Sequence, residues 1–291
     1  MAKGMLSDPG ARKGLLLVSP PFFYALVMLA IPLGAVVLLS FWSKQTVGYD
    51  MTPTLANYQE ALSHPLYRLL LGRSLMVSAA VTLVTVLLAY PIAYFVSFKV
   101  DPSRKSLWLL LITIPFWTSY LIRVVLWKVI LGYNGVINSA LLWLGVIDQP
   151  LQAINYNMGA VIVTLAHSYA PFAILPIFVA LEKIDRSLLE ASQDLGENKI
   201  STFLRVTLPL SVTGIVAAVL IVFIPTVGDF VTPELLGGPG GKLMANMIQS
   251  MFLGINKPTL GAALAVISML SVAVVSLIFV VLCSRWMGGR Q

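Results

Sequence analysis

The sequence predicts an all-α integral membrane protein with six transmembrane helices. Of its 291 residues, 58% are hydrophobic and only 11% are charged, and the mean hydropathy is +0.89. The chain also contains long apolar runs, and a helix needs about 20 mostly apolar residues to cross roughly 30 Å of hydrocarbon. Because these runs are continuous rather than alternating in polarity, they favour helices over a β-barrel.

Six apolar segments are long enough to cross a bilayer. We predict a transmembrane helix near residues 15–41, 74–98, 107–131, 159–181, 209–228 and 259–283. The first follows several basic residues, as a secretory signal does, but it exceeds the roughly 7–15 residues of a signal core and lacks a small-residue cleavage site. We therefore predict a retained helix. Cys283 is the one cysteine, so the chain has no internal disulfide and no cysteine-rich metal site.

The distribution of lysine and arginine predicts the orientation. With both termini inside, twelve bases fall on inner segments: Lys3, Arg12, Lys13, Lys99, Arg104, Lys105, Lys183, Arg186, Lys199, Arg205, Arg285 and Arg290. Five fall on outer segments: Lys44, Arg68, Arg73, Lys242 and Lys257. The positive-inside rule then predicts cytoplasmic tails at 1–14 and 284–291 around a membrane domain at 15–283. Anionic lipid headgroups account for the pI of about 9.5, so no nucleic-acid partner is needed.

One inner segment, residues 182–208, is unusually polar for this chain. Good helix formers at 187–195 end at Gly196, and Asn198 can cap a second helix that runs towards Pro209. This segment carries more apolar residues than a solvated linker needs, and its net charge of −1 does not suit a basic lipid-binding helix. A protein partner explains the pattern. The alternative is a surface helix that packs only on its own chain.

Enzymatic interpretations find little support. The stretch GGPGGK at 237–242 fails the phosphate-loop pattern twice, since leucine stands at both 236 and 243, and it predicts a flexible outer turn instead. The two histidines, His64 and His167, form no H-E-x-x-H motif, and there is no G-x-S-x-G. We therefore predict no catalytic residue, no metal and no cofactor in this chain. A secondary carrier remains open, although no inverted internal repeat is visible.

The polar inner segment carries a family signature. Glu190, Ala191 and Ser192, followed at matching spacings by Gly196 and by Leu208-Pro209, resemble the E-A-A-x3-G-x9-I-x-L-P motif of permease subunits of ATP-binding-cassette importers. The departures are Ser192 for the second alanine and Val206 for isoleucine. The resemblance implies a type I importer permease fold in which 182–208 is a coupling loop, its helix docking on a cytoplasmic ATPase. ATP and Mg would then bind to the partner ATPase subunits.

Further segments narrow this resemblance. Residues 114–124, 141–151 and 223–239 are similar to the permeases of spermidine/putrescine importers, and the likeness extends over about 15–283. It implies a bacterial inner (plasma) membrane protein with a second permease subunit, two ATPase subunits, a periplasmic or extracellular solute-binding protein and a polyamine as substrate. Related systems carry other small amines, opines or amino-acid derivatives.

Polar and aromatic residues within the spans are candidates for the substrate path. Arg123 is a charged residue within the third predicted span. Inserting a charged side chain at the centre of a span costs about 2.5–3.5 kcal/mol. Arg123 either snorkels to headgroups or faces the bundle, where it would pair with a carboxylate of this chain or of its partner. His167 lies near the midplane beside Tyr169 and the helix-kinking Pro171, and the alternative is a satisfied core histidine.

Aromatic and acidic residues complete the candidate path. Trp117 and Tyr120, with Trp127, recur at three- and seven-residue spacings that predict one helical face suited to organic cations, although Trp127 also fits an interface anchor. Asp229 and Glu234 flank Phe230 at the outer end of the fifth span, where they resemble acidic and aromatic positions of polyamine permeases. The alternative for the two acids is a solvated loop.

Overall fold

The computed structural model describes residues 9–46 and 48–288, which are mostly helical. In chain order the α-helices are α1 (Pro9–Ser40), α2 (Ala56–Ser63), α3 (Pro65–Phe98), α4 (Lys105–Thr113), α5 (Tyr120–Ile130), α6 (Val136–Trp143), α7 (Met158–Glu182), α8 (Arg186–Asp194), α9 (Lys199–Thr202), α10 (Leu208–Leu210), α11 (Val212–Val227), α12 (Val231–Leu236), α13 (Met244–Leu253) and α14 (Pro258–Gly288). Two short antiparallel strands, β1 (Ser43–Lys44) and β2 (Tyr49–Asp50), follow α1. Short 3₁₀ helices lie at Pro102–Arg104, Ile114–Trp117 and Gln152–Ile154, and a π-helix at Phe203–Thr207.

Within these residues, four helices are long and apolar enough to cross a membrane. They are α1, α3, α7 and α14, and two bent helix pairs bring the number to six if each pair is one span. The helix α3 begins at Pro65 rather than near residue 74, because the His64 side chain accepts a hydrogen bond from the Leu66 amide and Pro65 suits the first helical turn. The predicted tails at 1–14 and 284–291 are partly helical, since α1 starts at Pro9 and α14 runs to Gly288. The remaining tail residues, 1–8 and 289–291, lie outside the described part of the chain.

The third predicted span is not one straight helix. The 3₁₀ turn after α4 ends at Trp117, Thr118 is extended and Ser119 is not helical, and the direction of the chain changes by 86° before α5. Pro115 contributes to the break because it has no amide hydrogen to donate to a continuing helix. The prediction that Trp117 shares one helical face with Tyr120 and Trp127 is therefore wrong, whereas Tyr120 and Trp127 both lie on α5 and pack against the core.

The fifth predicted span is also bent. The chain from Lys199 to Leu210 meets α11 at an angle of 63°. Ser211 lies at the bend, where its hydroxyl is 2.9 Å from the Tyr90 hydroxyl of α3. A π-helical turn, an uncommon form that occurs mostly where helices serve a function, lies just before the bend. The straight apolar helix thus begins at Val212 and not at Pro209.

The core is formed by α3, α7 and α11. Its fully buried side chains include Val81, Leu165, Ile177 and Val222. Gly214 allows α11 to approach α7 closely, since a Cβ atom there would lie 2.5 Å from the Ala180 Cβ and 2.6 Å from the Pro176 carbonyl oxygen. The outer helices α1 and α14 pack against each other and leave most of their apolar side chains exposed, as expected of surfaces that face lipid or another membrane subunit.

The turn at residues 237–242 is closely packed. Gly238 has a positive φ of 69°, and a Cβ atom at that position would lie 2.2 Å from the Tyr156 carbonyl oxygen. Arg73 of α3 donates a hydrogen bond of 2.5 Å to the Gly240 carbonyl oxygen. The predicted turn is therefore present, with Arg73 as one of its contacts, and its flexibility stays a prediction.

Candidate functional site

The loop 182–208 contains the two short helices that the sequence predicts. Asp185 caps α8 by accepting a hydrogen bond of 3.0 Å from the Ser187 amide, and this bond lowers the pKa of the Asp185 carboxyl. After α8 the chain turns at Gly196, whose φ of +88° suits glycine. Asn198 then caps α9 by accepting a hydrogen bond of 2.9 Å from the Ser201 amide. The helix–turn–helix is thus confirmed, and its role as a coupling helix stays a prediction.

The two helices of the loop are braced against each other. The hydroxyl of Ser192, which replaces an alanine of the signature, lies 3.1 Å from the Thr202 hydroxyl. Glu197 accepts a hydrogen bond of 2.5 Å from Arg205. The ring of Phe203 packs edge-on against Tyr90 and Tyr94 of α3, at centroid distances of 5.6 and 6.0 Å. One side of the loop is therefore fixed to the helix bundle.

The other side of the loop is an exposed apolar surface. Leu195 is 86% exposed and Ile200 is 72% exposed, and Leu188 and Leu204 are also exposed. Among the signature residues, Glu190, Ala191 and Gly196 are exposed as well, whereas Leu208 and Pro209 are half-buried where the chain joins α11. Exposed leucine and isoleucine side chains on two helices that hold each other in place are typical of a surface that a partner covers.

A second polar site lies at the far end of α11 from this loop. The Tyr120 hydroxyl of α5 donates a hydrogen bond of 2.7 Å to Asp229 Oδ2 and lies 2.6 Å from the Thr232 hydroxyl of α12. Asp229 Oδ1 accepts a hydrogen bond of 3.1 Å from the Val231 amide. Asp229 is 8% exposed and Thr232 is fully buried, so the solvated-loop alternative is wrong for Asp229.

Arg123 points into the protein. It is 7% exposed, and its guanidinium donates hydrogen bonds of 3.1 Å to the carbonyl oxygens of Ser168 in α7 and Thr118 at the break between α4 and α5. Snorkelling to headgroups is therefore ruled out. Among the described residues no carboxylate lies within 4 Å of the guanidinium, so within this chain its partners are backbone carbonyls, and a carboxylate of a partner subunit stays a prediction. Arg123 Nε, Ser168 Oγ and Thr164 Oγ1 are buried without a protein partner.

The predicted path residues His167, Tyr169 and Trp117 differ in their contacts and in their exposure. His167 of α7 is exposed, and its Nδ1 accepts a hydrogen bond of 3.2 Å from Trp127 Nε1, so it is satisfied but not in the core. Tyr169 lies 6.1 Å from Phe172, ring to ring, on the same helix. Trp117, by contrast, is 78% exposed on the other side of the break.

Phe230 and Glu234 lie close to Asp229 in the chain but contact other groups. Phe230 is 40% exposed, and its carbonyl oxygen accepts a hydrogen bond of 2.8 Å from Asn246 of α13. Glu234 is exposed and accepts a hydrogen bond of 3.1 Å from the same amide group. Sequence reasoning missed Thr232, Ser168 and Asn246, because a single serine, threonine or asparagine has no pattern that marks it before the helices pack.

The comparisons with known proteins concern the family and the fold of the chain. Residues 89–288 match the family described as "Binding-protein-dependent transport system inner membrane component". The spermidine/putrescine transport system permease protein PotB of Haemophilus influenzae is 38% identical, with 89% of each chain covered. PotB of Escherichia coli is 39% identical over 78% of this chain and 82% of the relative.

The fold of the chain is that of a solved importer. One chain of a bacterial alginate ABC transporter, crystallised in complex with an alginate pentasaccharide-bound periplasmic protein, superposes with a TM-score of 0.73. The two chains are 19% identical, and 95% of this chain and 96% of the other are covered, so the likeness concerns the fold. The chain belongs to the family of binding-protein-dependent transport system inner membrane components.

Proposed function

We propose that this chain is a permease subunit of an ATP-driven importer and forms half of the path for a polyamine such as putrescine or spermidine. The observation that carries the proposal is the identity of 38–39% to two permeases named for spermidine/putrescine transport, over most of both chains. The partners would be a second permease, two ATPases that bind ATP and Mg, and a periplasmic or extracellular solute-binding protein.

The geometry of the loop 182–208 supports ATPase docking. Its exposed leucine and isoleucine side chains offer apolar area to a partner, while caps at Asp185 and Asn198 keep the helices formed when the partner is absent. Phe203 links the loop to α3. A partner that moves α8 would thus move the helix bundle, as alternating access requires.

The site around Asp229 supports contact with an amine. The carboxylate is held by one hydroxyl and one amide, and a passing ammonium group could add a charge-assisted hydrogen bond without displacing them. Aromatic rings at Tyr120, Tyr169 and Phe230 suit the same cation. Such contacts must be weak enough for release, and a few groups spread along a path meet that requirement.

One observation favours a second cargo class. The buried guanidinium of Arg123 has no carboxylate within 4 Å in the described chain, and its Nε has no partner. A fixed positive charge beside the path suits a cargo with a carboxylate of its own, such as an amino-acid derivative or an opine.

Uptake by the reconstituted transporter tests the proposal. The chain would be assembled in proteoliposomes with its second permease, ATPases and binding protein, and uptake of labelled putrescine or spermidine would be measured with and without ATP. We expect uptake that needs both ATP and the binding protein. Uptake driven by an ion gradient alone would instead indicate a secondary carrier. Competition by a zwitterionic amine, with no competition by putrescine, would establish the second cargo class.

A further inference from the structure

A cluster of polar side chains joins the end of α7 to three other helices. Glu182, the last residue of α7, uses one oxygen atom, Oε1, to accept three hydrogen bonds. The donors are the Ser97 hydroxyl of α3 at 2.6 Å, the Lys105 ammonium of α4 at 2.7 Å and the Arg186 guanidinium of α8 at 3.4 Å. We name these four residues the Glu182 cluster.

Arg186 fastens the start of α8 to the end of α3. Its guanidinium also donates a hydrogen bond of 3.0 Å to the Ser97 carbonyl oxygen. The same group lies over the ring of Phe98, 3.9 Å from the ring centroid, which is a favourable cation–π distance. Since Arg186 is the first residue of α8, these contacts fix where the loop helix leaves the bundle.

The cluster differs from an ordinary surface ion pair. An exposed pair holds two flexible side chains together and contributes little. Here one carboxylate oxygen binds groups from three other helices, and the side chain of Lys105 is only 16% exposed. The pair Arg205–Glu197 in the same loop is of the ordinary kind, because both partners belong to the loop and Arg205 is 74% exposed.

We propose that Glu182 is a positioning residue that makes α8 move as one body with the ends of α3, α4 and α7. This inference rests on the proposed function, in which an ATPase moves α8. The helix α4 leads into the break at Thr118, where Arg123 is bonded, so the cluster connects the loop to the buried site through both α4 and α7. Without Glu182, ATP would still be hydrolysed, but part of the motion would not reach the path.

The test is Glu182→Gln in the assembled transporter, which keeps an acceptor for Ser97 and removes the negative charge. We expect the number of ATP molecules hydrolysed per amine imported to rise about fivefold. This factor is at the upper end of the effect expected from the loss of a partly exposed ion pair. Amide exchange in residues 186–194 should become faster, because the first turn of α8 is released. The matched control is Glu60→Gln, which breaks the Glu60–Lys257 pair of 3.7 Å away from the loop and should change neither quantity.

Two further variants separate positioning from folding. Lys105→Met leaves Glu182 in place and should give a smaller change of the same kind, and adding it to Glu182→Gln should have little extra effect because both act through one cluster. Glu182→Asp keeps the charge and should restore part of the coupling.

The outcomes distinguish this inference from the proposed function. An unchanged ratio of ATP to amine and unchanged amide exchange in Glu182→Gln would overturn the inference. A loss of assembly with a normal ratio in the remaining complex would also overturn it, since the cluster would then serve folding alone. If the wild-type complex shows no ATP-driven uptake, the proposed function fails, whereas faster exchange in 186–194 would still show that Glu182 holds α8.

Discussion

The loop 182–208 exposes its apolar residues, whereas the helix bundle buries the charges of Arg123 and Asp229. In the loop, Leu195 is 86% exposed; at the site, Arg123 is 7% and Asp229 is 8% exposed. The two regions are about 20 Å apart along α7, since 14 residues separate Ser168 from Glu182 at 1.5 Å per residue. Exposed apolar area suits a large partner, and enclosed polar groups suit a small solute, so the two regions are suited to different binding tasks.

The contacts within the two regions also differ in their reach along the chain. Asp185 binds the Ser187 amide and Asn198 binds the Ser201 amide, so the loop helices form from neighbouring residues. Tyr120 and Asp229 are separated by 109 residues, and Arg123 and Ser168 by 45. The loop helices can therefore stay formed when the helices of the bundle shift, whereas the site must change whenever α5, α7 or α11 moves.

The largest expected effect tests whether the two regions lie on opposite faces of the membrane. Cysteines at the exposed positions Gln193 and Gln152, each in a Cys283→Ser background, should react with an impermeant thiol reagent from opposite sides of sealed vesicles. The reason is the excess of lysine and arginine on the predicted inner segments. Labelling of both from one side would contradict the six-span topology.

The next effect concerns the turn of the loop. Gly196→Trp should reduce copurification of the ATPase at least tenfold, because a residue with a Cβ is strained at a φ of +88° and the indole would project from the docking surface. Gly196→Asn is the matched control, since asparagine tolerates this conformation better. Glu190→Lys should act in the same direction as Gly196→Trp. Full ATPase binding by both Gly196→Trp and Glu190→Lys would contradict the proposal that the loop docks on the ATPase.

A third effect concerns the acids of the site. Asp229→Asn should lower the amine uptake rate about tenfold at saturating binding protein, because a hydrogen bond to a charged group contributes about 1.5 kcal/mol. Glu234→Gln should lower it only about twofold, since Glu234 is exposed. Assembly and basal ATP hydrolysis should stay normal in both. Wild-type uptake by the double variant would show that selectivity lies elsewhere.

A fourth effect tests what Arg123 does. Arg123→Met leaves the carbonyl oxygens of Thr118 and Ser168 without this donor and should lower the free energy of unfolding by about 1–3 kcal/mol. Arg123→Lys keeps the charge but lacks the planar fork that reaches both oxygens. Thermal unfolding in detergent should therefore show both variants destabilised. A lysine variant as stable as the wild type would mean that the charge, and not the bridge, matters.

The smallest effect concerns the helix cap at Asp185. Asp185→Ala should weaken ATPase copurification about twofold or less, and Asp185→Asn should restore it, because asparagine also accepts the bond from the Ser187 amide. The pKa of Asp185 lies below its ordinary value of 3.8, so the cap is fully present above that pH and is lost only as the pH falls through the lowered pKa. ATPase binding measured between pH 6 and 8 should therefore show no pH dependence from this group.

The sequence alone predicted the helical membrane class and the positions of three spans, in α1, α7 and α14, to within a few residues at most of their ends. It also predicted the loop helices, the turn at Gly196 and the cap at Asn198. These features depend on the composition of each segment and on contacts between residues that are close in the chain. Lipid requires about 20 apolar residues per span, and caps and positive-φ turns are formed by residues close in the chain.

Only the tertiary structure decided how the third span breaks and where the fifth bends, and which groups the charges meet. Arg123 is a conspicuous charge in the sequence, yet its partners are backbone carbonyls, which have no residue identity to read. Thr232 and Ser168 gain their positions when α5, α7 and α12 pack. Burial of a polar group demands a partner from whatever residue the packing brings near, and that choice is made by contacts between distant parts of the chain.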